Sequence, residues 1–392
     1  MNASSINGVR KVLREAIENN ELAGANILVI KDGKEDFYHE DGLADRENSL
    51  LIKRNSIFRL YSMSKPVTAA AMMILMERGA IDLFDPVSKF LPGFKNQKVE
   101  VNGLLVPVNR EVTLKDCLDM TSGLVYGGDT TAGQNTEALF TEIDSLLLGD
   151  SPMGTIEAMN KLGQAALSFQ PGISWQYGIS ADVLGAVIEV VSGKRFGEFL
   201  KDELFEPLDM KDTGFWVPVE KRDRLVKTYG DDGNKGLCLY TGNFLGIVNQ
   251  MDRNPAFESG GAGLVSTIDD YAKFTKMLMN RGSHEDVQIL QPKTVEYFTS
   301  GSLTPSQHEN FELWHTLRGH SYGNLMRVVK DCNQAGFLSS QSEYGWDGWL
   351  GAYFCNCPMD DLTILIMMQQ KDAGTTPLTR KLRNIIFSTC TE

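Results

Sequence analysis

Strand-like segments occupy the two ends of this chain, and the long stretch between them is mainly helical. Near the N-terminus, residues 24–30 (Gly-Ala-Asn-Ile-Leu-Val-Ile) read as a strand, Asp32-Gly33 as a hairpin turn and residues 35–39 as a second strand. Near the C-terminus, residues 325–330, 351–357 and 362–369 read as strands, with Pro358-Met-Asp-Asp361 turning the last two into a hairpin. Separate hairpins are marginal in water, so both sets are expected to join one sheet. The expected architecture is therefore α+β: an antiparallel sheet built from both chain termini, flanked by helices, with an inserted mainly helical subdomain. All 392 residues are expected to form one unit, with 1–60 and 320–392 supplying the sheet and 61–319 the helical part. Residues 127–153, rich in Gly, Thr and Asp with one apolar segment, read as an insertion or lid.

Val9, Val12, Leu13 and Ile17 recur at helical spacing and predict an N-terminal helix over 6–19; a closing helix is predicted over 378–389. Helices are also expected over 112–119, 155–166, 181–192, 195–204 and 267–280. Thr113 with Asp116, and Thr267 with Asp270, are the capping pairs that begin two of them.

Composition removes several function classes. A net charge of −13 argues against nucleic acid or an anionic membrane as partner. No run approaches the roughly 18–20 apolar residues of a membrane span. The first residues lack a basic region followed by an apolar core, so a cytoplasmic location is expected. The six cysteines show no metal-type spacing and fit a reducing compartment; Cys355 and Cys357, two apart in a strand, are expected on one buried face. His308, His315 and His320 fall in a polar, loop-like region without a zinc pattern. Phosphate-loop and dinucleotide fingerprints are missing as well, so no cofactor is expected.

The chemistry begins at Ser62-Met63-Ser64-Lys65, at the start of a strongly helical run. Positions i and i+3 share a helix face, so the Ser62 hydroxyl and the Lys65 amine can meet, whereas Ser64 points elsewhere. A serine hydroxyl becomes a nucleophile when a nearby base takes its proton, and a desolvated lysine can be that base. Three further stretches bear on this. Tyr177 precedes a helix near Ala181, and its phenol is either free to enter a cleft or simply half-buried. Tyr344-Gly-Trp346-Asp347-Gly348-Trp349, at the start of the penultimate strand, offers strand N–H groups for an oxyanion hole, or marks a bulge beside core tryptophans. Ser259-Gly-Gly-Ala-Gly263 reads as a tight connection. The G-x-S-x-G elbow of α/β-hydrolases is missing, as is H-E-x-x-H.

Ser62-Met-Ser-Lys65, Thr121-Ser-Gly-Leu124, Tyr177 before Asp182-Val-Leu-Gly185, Gly260-Gly-Ala-Gly-Leu-Val-Ser266 and Trp346-Asp-Gly348 occur in one order. In that order the chain resembles the serine β-lactamase/penicillin-binding-protein superfamily, in particular the class C β-lactamase-like esterases (family VIII carboxylesterases), from about residue 22 to 369. The resemblance implies a β-lactamase/transpeptidase-like fold and a serine hydrolase working through an acyl-enzyme. It implies Ser62 as nucleophile, Lys65 as its base partner and Tyr177 as the tyrosine of a Tyr-x-Asn motif that shares the proton transfer. It also implies an oxyanion hole made of the backbone N–H groups of Ser62 and Trp349.

Departures from the family pattern bear on substrate. Where a β-lactamase has Lys-Thr-Gly to hold a substrate carboxylate, this chain has Trp346-Asp347-Gly348, and tryptophan is common there in the esterases of the group. Ile179 replaces the asparagine of Tyr-x-Asn. Both changes favour an uncharged ester over a β-lactam. Asp347 keeps open an amidase or D-aminopeptidase acting on a substrate ammonium. An acyltransferase would use the same residues, and a non-catalytic binding protein is the alternative of another class.

Overall fold

The computed structural model describes residues 1–390. Its main sheet has eight strands: β1 (Gly24–Lys31), β2 (Lys34–Asp45), β3 (Leu50–Leu51), β4 (His320–Gly323), β5 (Met326–Val329), β6 (Tyr344–Asp347), β7 (Tyr353–Cys357) and β8 (Leu362–Met368). They lie in the order β4-β5-β6-β7-β8-β1-β2-β3, each pair antiparallel. The two chain ends meet at the β1–β8 ladder, which runs from Ala25↔Met368 to Lys31↔Leu362. Asp32 and Gly33 both take positive φ (52° and 71°), the mirror-image turn that matches the twist of a hairpin.

Alternation along β1 and β8 sorts their side chains onto two cores. Leu28, Ile30, Leu365 and Met367 face the helical part, whereas Ala25, Ile27, Val29, Ile364 and Ile366 face the terminal helices α1 (Ala3–Glu18) and α7 (Pro377–Phe387). Val9, Leu13, Leu382 and Ile386 close that second core. Both faces being covered explains why these strands read as continuous apolar runs.

Five helices complete the account of the site's surroundings: α2 (Ser64–Glu77), α3 (Leu114–Leu118), α4 (Thr131–Leu146), α5 (Ser180–Ser192) and α6 (Ile268–Met279). In α2, residues 64–75 are all buried, and three consecutive alanines (Ala69–Ala71) let neighbouring elements approach it closely. The Thr113–Asp116 pair forms a full capping box, and Thr267 caps α6 through Asp270.

Four expectations need correction. The stretch around Trp346 is not the start of the penultimate strand; it is a strand of its own, β6, paired with β7 through Trp346↔Phe354. Residues 320–323 also form a strand, so His320 is a buried strand residue, with Nδ1 against the carbonyls of Leu317 and Arg318. Asn324 and Leu325, read partly as strand, are the positive-φ turn of the β4–β5 hairpin. β4 escapes period-2 reading because His-Ser-Tyr-Gly is buried at every position. Residues 195–204 begin as an α-turn but widen to a π-turn at Lys201–Phe205.

Residues 127–153 carry α4, whose Leu139, Phe140 and Ile143 are packed into the main core. No helix among the described residues is long and apolar enough to cross a membrane.

Candidate active site

The chain reaches Ser62 through a two-residue ladder, Phe58–Arg59 against Val265–Ser266, and a single 3-10 turn, Tyr61–Met63, that leads into α2. Lys65, one turn on, is fully buried. Its Nζ donates to Ser62 Oγ at 3.1 Å, to the Tyr126 hydroxyl at 2.9 Å and to the Gly261 carbonyl at 2.8 Å. Burial pulls the amine down to about 7, opposed by the carboxylates of Asp182 and Asp347. An amine in that range is partly neutral at physiological pH and can accept the Ser62 proton. Ser64 is buried on another side of the helix, where its Oγ accepts from the Leu264 N–H.

Ser259–Gly263 proves to be more than a tight connection. A β-carbon at Gly260 would lie 2.4 Å from the Ala181 carbonyl oxygen, and one at Gly261 would lie 2.5 Å from Asp182 Oδ2. Glycine is required here because the backbone is pressed against α5 so that the Gly261 carbonyl meets the lysine. Asp182, in the first turn of α5, anchors the run by accepting from the Ser259 hydroxyl and the Gly261 N–H. Burial pushes its own carboxyl up, and the Ser259 hydroxyl and the Lys65 charge oppose the shift.

Tyr177 stands on the other side of Ser62. Its hydroxyl accepts from Trp346 Nε1 at 3.0 Å, and Lys65 Nζ lies 4.7 Å from its ring centre. Burial raises the phenol, with Ser62 and Trp346 opposing. The indole thus holds the tyrosine oxygen by a neutral hydrogen bond.

A cavity of about 420 Å³ opens at Ser62, bounded by Tyr177, Trp314, Trp346, Asp347 and Trp349. No residue of 127–153 lines it. The Asp347 carboxylate accepts from the Thr375 hydroxyl, and burial raises its pKa while Arg327 pulls it back. Gly348 has a structural necessity: a β-carbon there would lie 2.2 Å from the Leu60 carbonyl oxygen. Its absence lets the end of β6 run against the chain entering Ser62. Beyond it, Trp349 gives its carbonyl to Ala373 N–H and its Nε1–H to Asp372, and among the described residues its own N–H has no protein acceptor. The Ser62 N–H lies in an opening helical turn, where such groups lack helical partners.

Two site residues carry no strong local signal in the sequence. Tyr126 lies two residues beyond Thr121-Ser-Gly-Leu124, in irregular chain that Gly178 approaches closely enough to exclude any side chain. Trp314 comes from the polar-looking stretch before β4, and its ring centre is 5.4 Å from that of Tyr177.

Residues 9–385 match the family model described as Beta-lactamase. The chain belongs to the beta-lactamase family. Among its relatives in that family, Protein Rv1367c of Mycobacterium tuberculosis is 29% identical, over 93% of this chain and 90% of the relative. Esterase EstB of Burkholderia gladioli is 26% identical, over 96% and 94% of the two chains. The solved structure described as EstCE1, a hydrolase with promiscuous acyltransferase activity, superposes with a TM-score of 0.82 at 24% identity, covering 98% of this chain and 99% of that one. This beta-lactamase-family chain is an enzyme of the serine hydrolase kind, with an α+β fold built on the sheet described above.

The two tyrosines are separable by mutation. If Tyr177 shares the proton transfer, Tyr177→Phe lowers kcat by at least ~10²-fold. Tyr126→Phe removes only one of three Lys65 partners and lowers kcat by about 10-fold, in line with the loss of one hydrogen bond to a charged group. Steady-state kinetics on both variants reads the difference, and equal losses would make the tyrosines equivalent.

Proposed function

We propose that this enzyme hydrolyses small neutral carboxylic esters through an acyl-enzyme on Ser62. The observation that carries the reading is the Lys65 amine, held near neutrality by burial, 3.1 Å from the Ser62 hydroxyl at the mouth of the aromatic cavity. Ser62 Oγ attacks the ester carbonyl while Lys65 takes its proton. Tyr177 and Lys65 return a proton to the leaving alcohol, and water then releases the acid. The N–H groups of Ser62 and Trp349 stabilise the oxyanion in both halves of the reaction.

Trp346 supports a neutral substrate. A lysine there would offer a cation to a carboxylate, and an indole already bonded to Tyr177 offers only an apolar face. Asp347, engaged by Thr375, supports a wall rather than a free anchor for an ammonium. Esterase EstB as a relative across nearly the whole chain supports the same assignment. A reducing, cytoplasmic setting is part of the proposal: among the described residues all six cysteines are unpaired. The substrate is a small molecule, with neither nucleic acid nor membrane as partner.

A substrate panel tests the reading. p-Nitrophenyl acetate and butyrate are expected to exceed a chromogenic cephalosporin in kcat/KM by ~10³-fold or more, the scale on which a site lacking a needed charged partner rejects a ligand. D-Amino acid amides that outperform the esters would move the assignment to an amidase.

A further inference from the structure

Tyr61, immediately before Ser62, has a φ of +44°, a region that non-glycine residues rarely adopt. It is 1% exposed, and among the described residues its buried hydroxyl has no hydrogen-bond partner. A glycine would relieve the first of these penalties and a phenylalanine the second, so the reason for the side chain has to be sought in what its ring touches.

The ring lies 4.9 Å from that of Trp349 in an edge-on arrangement and 6.5 Å from that of Phe244. Phe244 closes on Trp349 from another direction at 4.5 Å. Around Tyr61 the apolar side chains of Ile57, Ala262 and Leu350 form a small third core, separate from the two that build the sheet faces. Each of three segments that supply backbone atoms to the site enters this core one residue away from the atom in question. Tyr61 precedes Ser62, Leu350 follows Trp349, and Ala262 follows Gly261.

We propose that Tyr61 is a positioning residue: its ring wedges against Trp349 and its backbone carries Ser62, so that it holds the two oxyanion-stabilising N–H groups at a fixed separation. The proposal rests on the acyl-enzyme reading above. Negative charge builds on the substrate oxygen only as Ser62 Oγ adds to the carbonyl carbon and the C=O pair moves onto oxygen. A wedge that sets donor spacing therefore acts on the transition state and leaves substrate affinity nearly alone.

The test compares Tyr61→Phe, Tyr61→Gly and Phe244→Ala, using p-nitrophenyl butyrate for kcat and KM and phenylboronic acid as a tetrahedral, oxyanion-like adduct. Tyr61→Phe keeps the wedge and is expected to retain kcat within ~3-fold. Tyr61→Gly relaxes the backbone but loses the wedge, and kcat is expected to fall ~10²-fold with KM within ~3-fold. Phenylboronic acid should weaken in parallel with kcat, and the acidic limb of the pH profile should stay where it is, because Lys65 is untouched. Tyr61→Gly with kcat within ~3-fold of the parent, a loss expressed in KM, or a limb that moves with the loss would each overturn the proposal. Should Tyr61→Gly fail to fold, Phe244→Ala, at a partly exposed position, carries the test: an unchanged kcat there overturns the wedge, and a ~10-fold fall with parallel loss of boronate affinity supports it. Ser62→Ala run alongside separates the two levels, since activity surviving in that variant refutes the acyl-enzyme and not the wedge.

Discussion

Ser62→Ala is expected to abolish turnover of p-nitrophenyl butyrate, by ~10⁴-fold or more, because the covalent route is then closed and only the oxyanion donors and binding remain. The substitution removes one oxygen and with it one of three Lys65 partners, a loss of about 1 kcal/mol for a single hydrogen bond. Circular dichroism should therefore be unchanged and Tm lowered by only a few degrees, which separates lost chemistry from lost fold. A fluorophosphonate probe is expected to label the parent at Ser62 and leave the variant unlabelled. Labelling at Ser64 would refute the choice of nucleophile, although Ser64 is buried with its Oγ engaged by the Leu264 N–H. Retained esterase activity in Ser62→Ala would overturn the functional assignment as a whole.

Lys65→Met is expected to have the next largest effect. With the base gone, kcat/KM falls ~10³-fold or more, at the upper end of what a positioned general base contributes. The parent's kcat/KM should rise with pH through about 7 and then level, because the Lys65 amine must lose its proton before it can accept one from Ser62. That limb should vanish in the variant. A limb that persists in Lys65→Met would belong to another group and would remove Lys65 as the base.

Lys65→Met should affect stability with the opposite sign to activity. The folded-state pKa of Lys65 is depressed below the value of 10.5 that the unfolded chain retains, so the unfolded state binds more protons between those limits. Burying the lysine therefore costs most below about pH 7, and the cost fades as pH rises towards 10.5. Urea denaturation of Lys65→Met against the parent should show an advantage for the variant that narrows across that interval. An advantage that widens with pH would contradict a depressed lysine.

Short-range patterns carried much of this molecule into the sequence. The Asp32-Gly33 turn, the continuous apolar runs of β1 and β8 and the Thr113 and Thr267 caps each depend on residues within a few positions of one another, and all appear in the structure. The proximity of Ser62 and Lys65 is of the same kind, since three residues of helical chain suffice to bring the two groups together. Pairing of the terminal strands across more than three hundred residues was also legible, because hairpins at both ends leave edges that one sheet satisfies.

Other parts of the site exist only once the chain has folded. Tyr126 and the Gly261 carbonyl reach Lys65 from 61 and 196 residues away, with no periodicity to mark them. Trp314 joins the cavity from a stretch whose composition looks like loop. The same holds for β6, a strand separate from β7, and for Tyr61, whose unusual φ is imposed by the third core around it. By itself, the sequence determined the sheet joined from both ends and the serine–lysine pair, because turns, apolar runs and i,i+3 spacing are local properties of the chain. Only the tertiary structure decided what surrounds that lysine and what walls the cavity, because desolvation and donor geometry come from packing between segments that no local pattern connects.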